Sequence, residues 1–247
     1  MRKFFTIIKF IFFLQVHVLF SNFQEETETI ILGAESIEEF LPFVKNKKIG
    51  IVSNSSSIIR TDHKPVHLLD TLLKLDQKIK AVFAPEHGFL SDKENGALIK
   101  NDFDFKRNLD VYSLYGKNKK PSPNQLKGID VMIFDLQDVG ARFYTYLSTL
   151  YYTMKACAEN KIPLLILDRP NPNGHYVDGP ILEKEFISFV GILEIPIVHG
   201  MTIGELAKMI NGEGLIHPKC EIKVIKLKNY SHNLQYILPL PPSPNLP

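Results

Sequence analysis

Cysteine is scarce in this sequence and poorly placed for a metal. Cys157 and Cys220 are far apart and no Cys-x-x-Cys pair exists, which argues against a zinc or redox site built on thiolates. One disulfide is open to the pair in an oxidising compartment, but Cys157 falls in a helical pattern that reads as core. An excess of one charge is also missing: 29 basic residues meet 27 acidic ones, for a formal charge of +2. That balance lacks the concentrated basic footprint of a phosphate-backbone binder, so no nucleic-acid partner is expected. Four signatures are absent: Gly-x-Gly-x-x-Gly, the phosphate-loop Gly-x-x-x-x-Gly-Lys, the Gly-x-Ser-x-Gly nucleophile elbow and His-Glu-x-x-His. Neither a cofactor nor a metal is expected. A metal-dependent hydrolase using Asp135, Asp138 and His199 would lack any recognised ligand spacing.

Long unbroken hydrophobic runs are missing too. Behind Arg2 and Lys3, residues 4–20 are mostly apolar, but Lys9, Gln15 and His17 interrupt them. Such a stretch is too broken for a comfortable membrane span and suits the apolar region of a signal peptide. Residues 1–22 therefore read as a signal peptide, with an uncleaved anchor as the alternative and the only expected link to a membrane. No Ala-x-Ala site is visible, and no cysteine follows the run for lipid attachment. The expected location is outside the cytoplasm, periplasmic or extracellular. An acidic polar stretch follows, and residues 23–30 read as a linker.

What remains is an alternation. Residues 49–53, 79–83, 131–134 and 164–167 are short, mostly apolar runs. Between them, Val66, Leu69, Leu72 and Leu73, and then Tyr146, Leu147, Leu150, Tyr151, Met154 and Ala158, recur at helical spacing. Continuous rather than alternating apolar strands belong to a parallel sheet covered on both faces. The expected fold is α/β, a Rossmann-like, doubly wound and mostly parallel sheet over residues 31–238. Thr202-x-x-Glu205 reads as a capping box opening a helix that ends near Gly212. Residues 221–227 read as another strand. The proline-rich residues 239–247 form neither a helix nor a central strand.

In such a sheet, ligands bind beyond the carboxyl ends of the strands, and the polar clusters fall there. Asn54 follows the first strand. Glu86 and His87 follow the second, between Pro85 and Gly88. Asp135, Gln137, Asp138 and Arg142 follow the third. Asp168, Arg169, Asn171 and Asn173 follow the fourth, and His199 stands before the capping box. A carboxyl held partly out of water, as at Glu86, suits a general acid; the plainer reading is a loop cap or a partner for Arg142. Asp138 and Arg142 have salt-bridge spacing if their segment is helical. Tyr144 offers a ring suited to a sugar face, although tyrosines at this spacing are as readily core. The loop holding Asn171 and Asn173 reads either as a braced proline turn or as a hydroxyl-binding loop.

These clusters, in this order, resemble the YbbC/NamZ family. The matching stretches are Phe83-Ala-Pro-Glu-His-Gly-Phe89, Val111-Tyr-Ser-Leu-Tyr-Gly116, Asp135-Leu-Gln-Asp-Val-Gly-Ala-Arg-Phe-Tyr-Thr-Tyr146, Leu167-Asp-Arg-Pro-Asn-Pro-Asn-Gly174, His199-Gly-Met-Thr-Ile-Gly-Glu205 and Pro241-Pro-Ser-Pro-Asn245. The resemblance implies a glycoside hydrolase that releases N-acetylmuramic acid from non-reducing ends of peptidoglycan fragments, with a muropeptide or a MurNAc-GlcNAc saccharide as partner. It implies Glu86 as the catalytic glutamate, with residues 135–142 and 168–173 lining the sugar site. Asp135, Asp138 and Asp168 all stand as candidates for the second carboxylate, and Arg142 or Arg169 as the cation for the lactyl carboxylate. It further implies that residues 239–247 begin a link to a second domain that this sequence does not contain. The alternative is a carbohydrate-binding protein without turnover. The family pattern is departed from at Asn54-Ser-Ser56, at Leu90 and Ser91, and at Ala97.

Overall fold

A computed structural model describes residues 29–244, apart from Asn95 and Leu98. The expected signal or anchor over 1–22, most of the expected linker and the last three residues lie outside that range.

Six parallel strands make the frame. They are β1 (Lys48–Ser53), β4 (Lys78–Ala84), β6 (Leu109–Ser113), β7 (Val131–Asp135), β8 (Leu164–Leu167) and β9 (Ile222–Ile225). A short strand β5 (Asp102–Asp104) lies antiparallel to β6 at one edge, and the order is β5-β6-β4-β1-β7-β8-β9. From β1 the chain winds outward through β4 to β6. It then returns to the other side of β1 and winds outward again through β7, β8 and β9. This is the doubly wound order expected from the apolar runs, and it reverses between β1 and β7. Two small strands, β2 (Ile58–Ile59) and β3 (Val66–His67), pair with each other outside the sheet.

Alternation along each strand feeds two cores. Ile49, Ile51, Val131, Ile133, Leu165 and Leu167 pack with Phe40 and Val44 of α1 (Ile37–Val44) and with Leu68, Leu69 and Leu72 of α2 (Leu68–Lys74). On the other face Val52, Met132, Phe134, Leu164 and Ile166 pack with α4 (Tyr146–Asn160) and α5 (Ile203–Gly212). A one-turn helix, α3 (Pro123–Leu126), precedes β7. All five residues of β7 are buried, as a strand covered on both faces requires.

The helical reading of Val66 is corrected. Val66 pairs with Ile59 in the small hairpin, and α2 begins two residues later, where the His67 imidazole accepts the Leu69 N–H at 3.1 Å as its cap. Cys157 and Cys220 are free thiols, both buried in one core. No described helix is long and apolar enough to cross a membrane.

Candidate active site

Three loops interlock at the carboxyl ends of β7 and β8. Asp135 ends β7 and Arg169 follows β8. The two form a two-bond pair, Nε to Oδ1 at 2.6 Å and Nη2 to Oδ2 at 3.0 Å, and Nη2 also reaches the Ile58 carbonyl. Their side chains are 0% and 1% exposed. A carboxylate so placed has both oxygens committed and no route to a ligand, so Asp135 acts as a structural anchor and Arg169 offers no cation. Asp168 has a different task. Its carboxylate accepts the Arg169 and Gly204 N–H groups and the Thr202 hydroxyl at 2.8–3.0 Å, which ties β8 to the start of α5. A Cβ at Gly204 would stand 2.7 Å from that carboxyl, so a larger residue would displace it. Burial pushes Asp168 up to about 6, against the three donors that favour its charge.

The amides brace the loops. Gln137 donates to the Asp138 and Pro170 carbonyls, Asn173 to the Val139 carbonyl and Asn171 to the Met201 carbonyl. Asn171 also accepts the Asn173 N–H at 2.8 Å. Its carboxamide presses against Gly140, whose φ is 77° and whose absent Cβ would lie 2.1 Å from the Asn171 Oδ1. Only glycine fits there. The resemblance placed these three amides along the sugar site, with a braced turn as the plainer reading for Asn171 and Asn173; in the structure each donates to backbone carbonyls. Asn54 is likewise fully buried. Its amide donates to the Tyr146 hydroxyl at 2.7 Å and to the Pro242 carbonyl at 3.2 Å, while its oxygen accepts from Ser56. Tyr146 donates to the same Pro242 carbonyl at 2.8 Å. The proline-rich stretch thus crosses the sheet where the strand order reverses. Arg142 does not pair with Asp138. Its Nη1 donates to the Pro180 and Ile195 carbonyls at 2.7 and 2.6 Å, stapling residues 180–195 to the site loop.

What is left over is a second cluster. Glu86 follows β4 and is 8% exposed. One of its oxygens accepts the Thr145 hydroxyl at 2.7 Å and the other the Gly96 N–H at 3.1 Å. Its neighbour His87 holds φ at 71° and its Nδ1 lies 2.7 Å from the Lys93 carbonyl, so His87 shapes the turn that presents Glu86. The Tyr115 phenol is pushed up by burial and then by its contact with Glu86. Asp138 accepts the Gly140 N–H at 2.7 Å through Oδ2, and His199 Nε2 stands 3.5 Å from the same oxygen. Tyr144 lies within charge reach of both carboxyls. Burial pushes its phenol up to about 12, with Asp138 and Glu86 adding to the rise. Ser243 and Tyr146 approach that phenol without the geometry of a full hydrogen bond. Asp138 Oδ1, the Tyr144 hydroxyl and His199 Nε2 are all buried and have no hydrogen-bond partner among the described residues.

An orphaned buried polar atom costs roughly 1–3 kcal/mol. Three in one cluster mark a place built for a polar ligand. Other orphans, such as Ser36 and Thr153, fall on other elements. Beside His199 a cavity of about 400 Å³ opens, lined by His175, Tyr176, Met201, Glu205 and His232 among others. Among the described residues no group of three or more His, Cys, Asp or Glu is arranged to hold a metal ion. Sequence reasoning missed Tyr115 and Thr145 as partners of Glu86, although both lie inside the recognised stretches. It also missed Pro242 and Ser243 as part of the site floor.

The model of a known family, Exo-beta-N-acetylmuramidase NamZ, N-terminal, matches residues 49–247. The chain belongs to this family. A curated relative, the peptidoglycan beta-N-acetylmuramidase NamZ of Bacillus subtilis strain 168, is 44% identical over 209 residues, covering 83% of this chain and 50% of the relative. Two crystal structures of DUF1343 family proteins from Bacteroides fragilis share the fold. One has a TM-score of 0.78 at 48% identity, covering 89% of this chain and 58% of its own; the other has a TM-score of 0.76 at 37% identity, covering 84% and 52%. The chain spans about half the length of the curated relative it matches.

Proposed function

We propose that this chain carries the reacting carboxyls of a glycoside hydrolase, one that releases N-acetylmuramic acid from the non-reducing ends of peptidoglycan fragments during cell-wall turnover and recycling. Its substrate is a muropeptide or a MurNAc-GlcNAc saccharide, met outside the cytoplasm in the periplasmic or extracellular space. Family membership supports the reaction class. The observation that carries the assignment to residues is the division of labour among the carboxylates. Asp135 is tied to Arg169 and Asp168 to the α5 N-terminus. Glu86 and Asp138 remain, both within charge reach of the Tyr144 phenol, and Asp138 keeps one oxygen without a partner among the described residues.

Hydrolysis of a glycosidic bond needs an acid for the leaving oxygen and a second carboxylate at the sugar ring. Glu86, held by Thr145 and presented by the left-handed His87 turn, is assigned the first role. Asp138 is assigned the second, with Oδ1 toward the ring. Tyr144, within charge reach of both, meets the sugar through its hydroxyl. The test is incubation of the purified chain with a MurNAc-GlcNAc disaccharide and mass spectrometry of the products. Release of free N-acetylmuramic acid is expected. Tight binding of the disaccharide without cleavage would favour the carbohydrate-binding reading instead.

A further inference from the structure

We propose that His199 is a positioning residue that fixes which oxygen of Asp138 meets the substrate. The inference rests on the functional reading above. His199 belongs to the polar clusters at the strand ends, its side chain is 0% exposed, and its Nε2 faces Asp138. Its Nδ1 accepts the Met201 N–H at 3.2 Å. In the neutral ring the proton therefore sits on Nε2, the nitrogen that faces Asp138 Oδ2 at 3.5 Å.

The same oxygen already accepts the Gly140 N–H at 2.7 Å. One hydrogen bond and the nearby His199 nitrogen thus fall on Oδ2, and no donor among the described residues bonds to Oδ1. The carboxylate is turned so that Oδ1 is the free face. His199 is itself held by its backbone, whose N–H lies 3.4 Å from the Gly140 carbonyl, and by the bridge between Val198 and Ala141. The backbone of His199 is therefore tied to the Gly140 loop. At 3.5 Å the contact is about half an ångström longer than an ordinary N–H···O bond. The contact holds the orientation of the carboxylate ahead of the reaction, which serves positioning and not substrate binding. Such a residue raises turnover without binding substrate.

Two measurements test this. Long-range proton–nitrogen NMR spectra of this chain should show His199 protonated at Nε2 and bare at Nδ1; the opposite tautomer would overturn the proposal. Kinetics on a chromogenic N-acetylmuramide form the second arm. His199→Phe, which keeps the ring shape but removes the donor, should lower kcat roughly 10- to 100-fold, the size of one lost hydrogen bond to a charged group. KM should stay within about twofold, the signature of an interaction made in the transition state. His199→Gln, whose amide nitrogen reaches the Nε2 position, should recover most of the loss, whereas the shorter His199→Asn should not. If His199→Phe fails to fold, the contrast between the Gln and Asn variants decides. An active wild type with an equally active His199→Phe, or equal kcat for Gln and Asn, overturns the role of His199 alone. A wild type that does not turn over the substrate overturns the functional reading, and this inference with it.

Discussion

Asp135 and Asp138 are three residues apart and point to opposite fates. The first is locked to Arg169 with both side chains buried, while the second keeps an oxygen without a partner among the described residues. The difference separates stability from activity. Breaking a buried pair by removing one charge costs about 3–5 kcal/mol, because the other charge stays behind. Asp135→Asn should therefore lower the urea midpoint sharply. Asp138→Asn should leave that midpoint nearly unchanged while abolishing hydrolysis. Unfolding curves of the two variants, run beside the activity assay, check the contrast.

Gly140 should not tolerate alanine. Its φ of 77° and the 2.1 Å separation between its missing Cβ and Asn171 act together. A left-handed non-glycine residue costs on the order of 1–3 kcal/mol before any clash is counted. The Gly140→Ala variant should lose at least that much stability and, because the Gly140 N–H holds Asp138, its activity too. Thermal melting and the hydrolysis assay read the two effects separately.

Asp168 gives the fold a pH dependence of definite sign. Burial raises its folded value to about 6 from the ordinary 3.8. Between about pH 4 and pH 6 the folded state holds the proton more tightly than the unfolded chain. The contribution is therefore fully present below about pH 4 and is lost as pH rises to about 6, amounting to roughly 3 kcal/mol at one pKa unit per 1.36 kcal/mol. Subtracting the stability–pH curve of Asp168→Asn from that of the wild type should reveal this downward slope. A difference curve that rises with pH would contradict it.

The Pro242 carbonyl accepts from both Asn54 and Tyr146. Tyr146→Phe removes a fully buried hydroxyl at the centre of that arrangement. It leaves the Asn54 amide with one partner fewer and should cost about 1–3 kcal/mol. Urea unfolding of the variant checks the value. Hydrogen exchange at Ser243, which approaches the Tyr144 phenol, should quicken at the same time.

Much of the sheet was legible because β1, β7 and β8 are nearly continuous apolar runs and β4 becomes one from Ala81, as a parallel strand covered on both faces must be. β6 was not read as a strand, since Leu109-Asp-Val-Tyr-Ser113 alternates buried and exposed positions and its polar residues mask it. β5 is an edge strand of three residues with two aspartates, too short and too polar to announce itself. The place of the site was legible from the polar clusters at the strand ends. The roles were not. Nothing in the spacing of Asp135, Asp138 and Asp168 says which one will meet Arg169 and which one α5, because those partners come from loops set by tertiary packing. The same holds for Pro242, which lies 188 residues from its partner Asn54.

The central claim is that Glu86 and Asp138 are the reacting pair. The most direct test is hydrolysis of a chromogenic N-acetylmuramide by the purified chain, by Glu86→Gln and by Asp138→Asn, with folding verified by circular dichroism. The account predicts turnover by the wild type and its loss, by a factor of 10² or more, in each folded variant. Turnover that survives in either folded variant would contradict it.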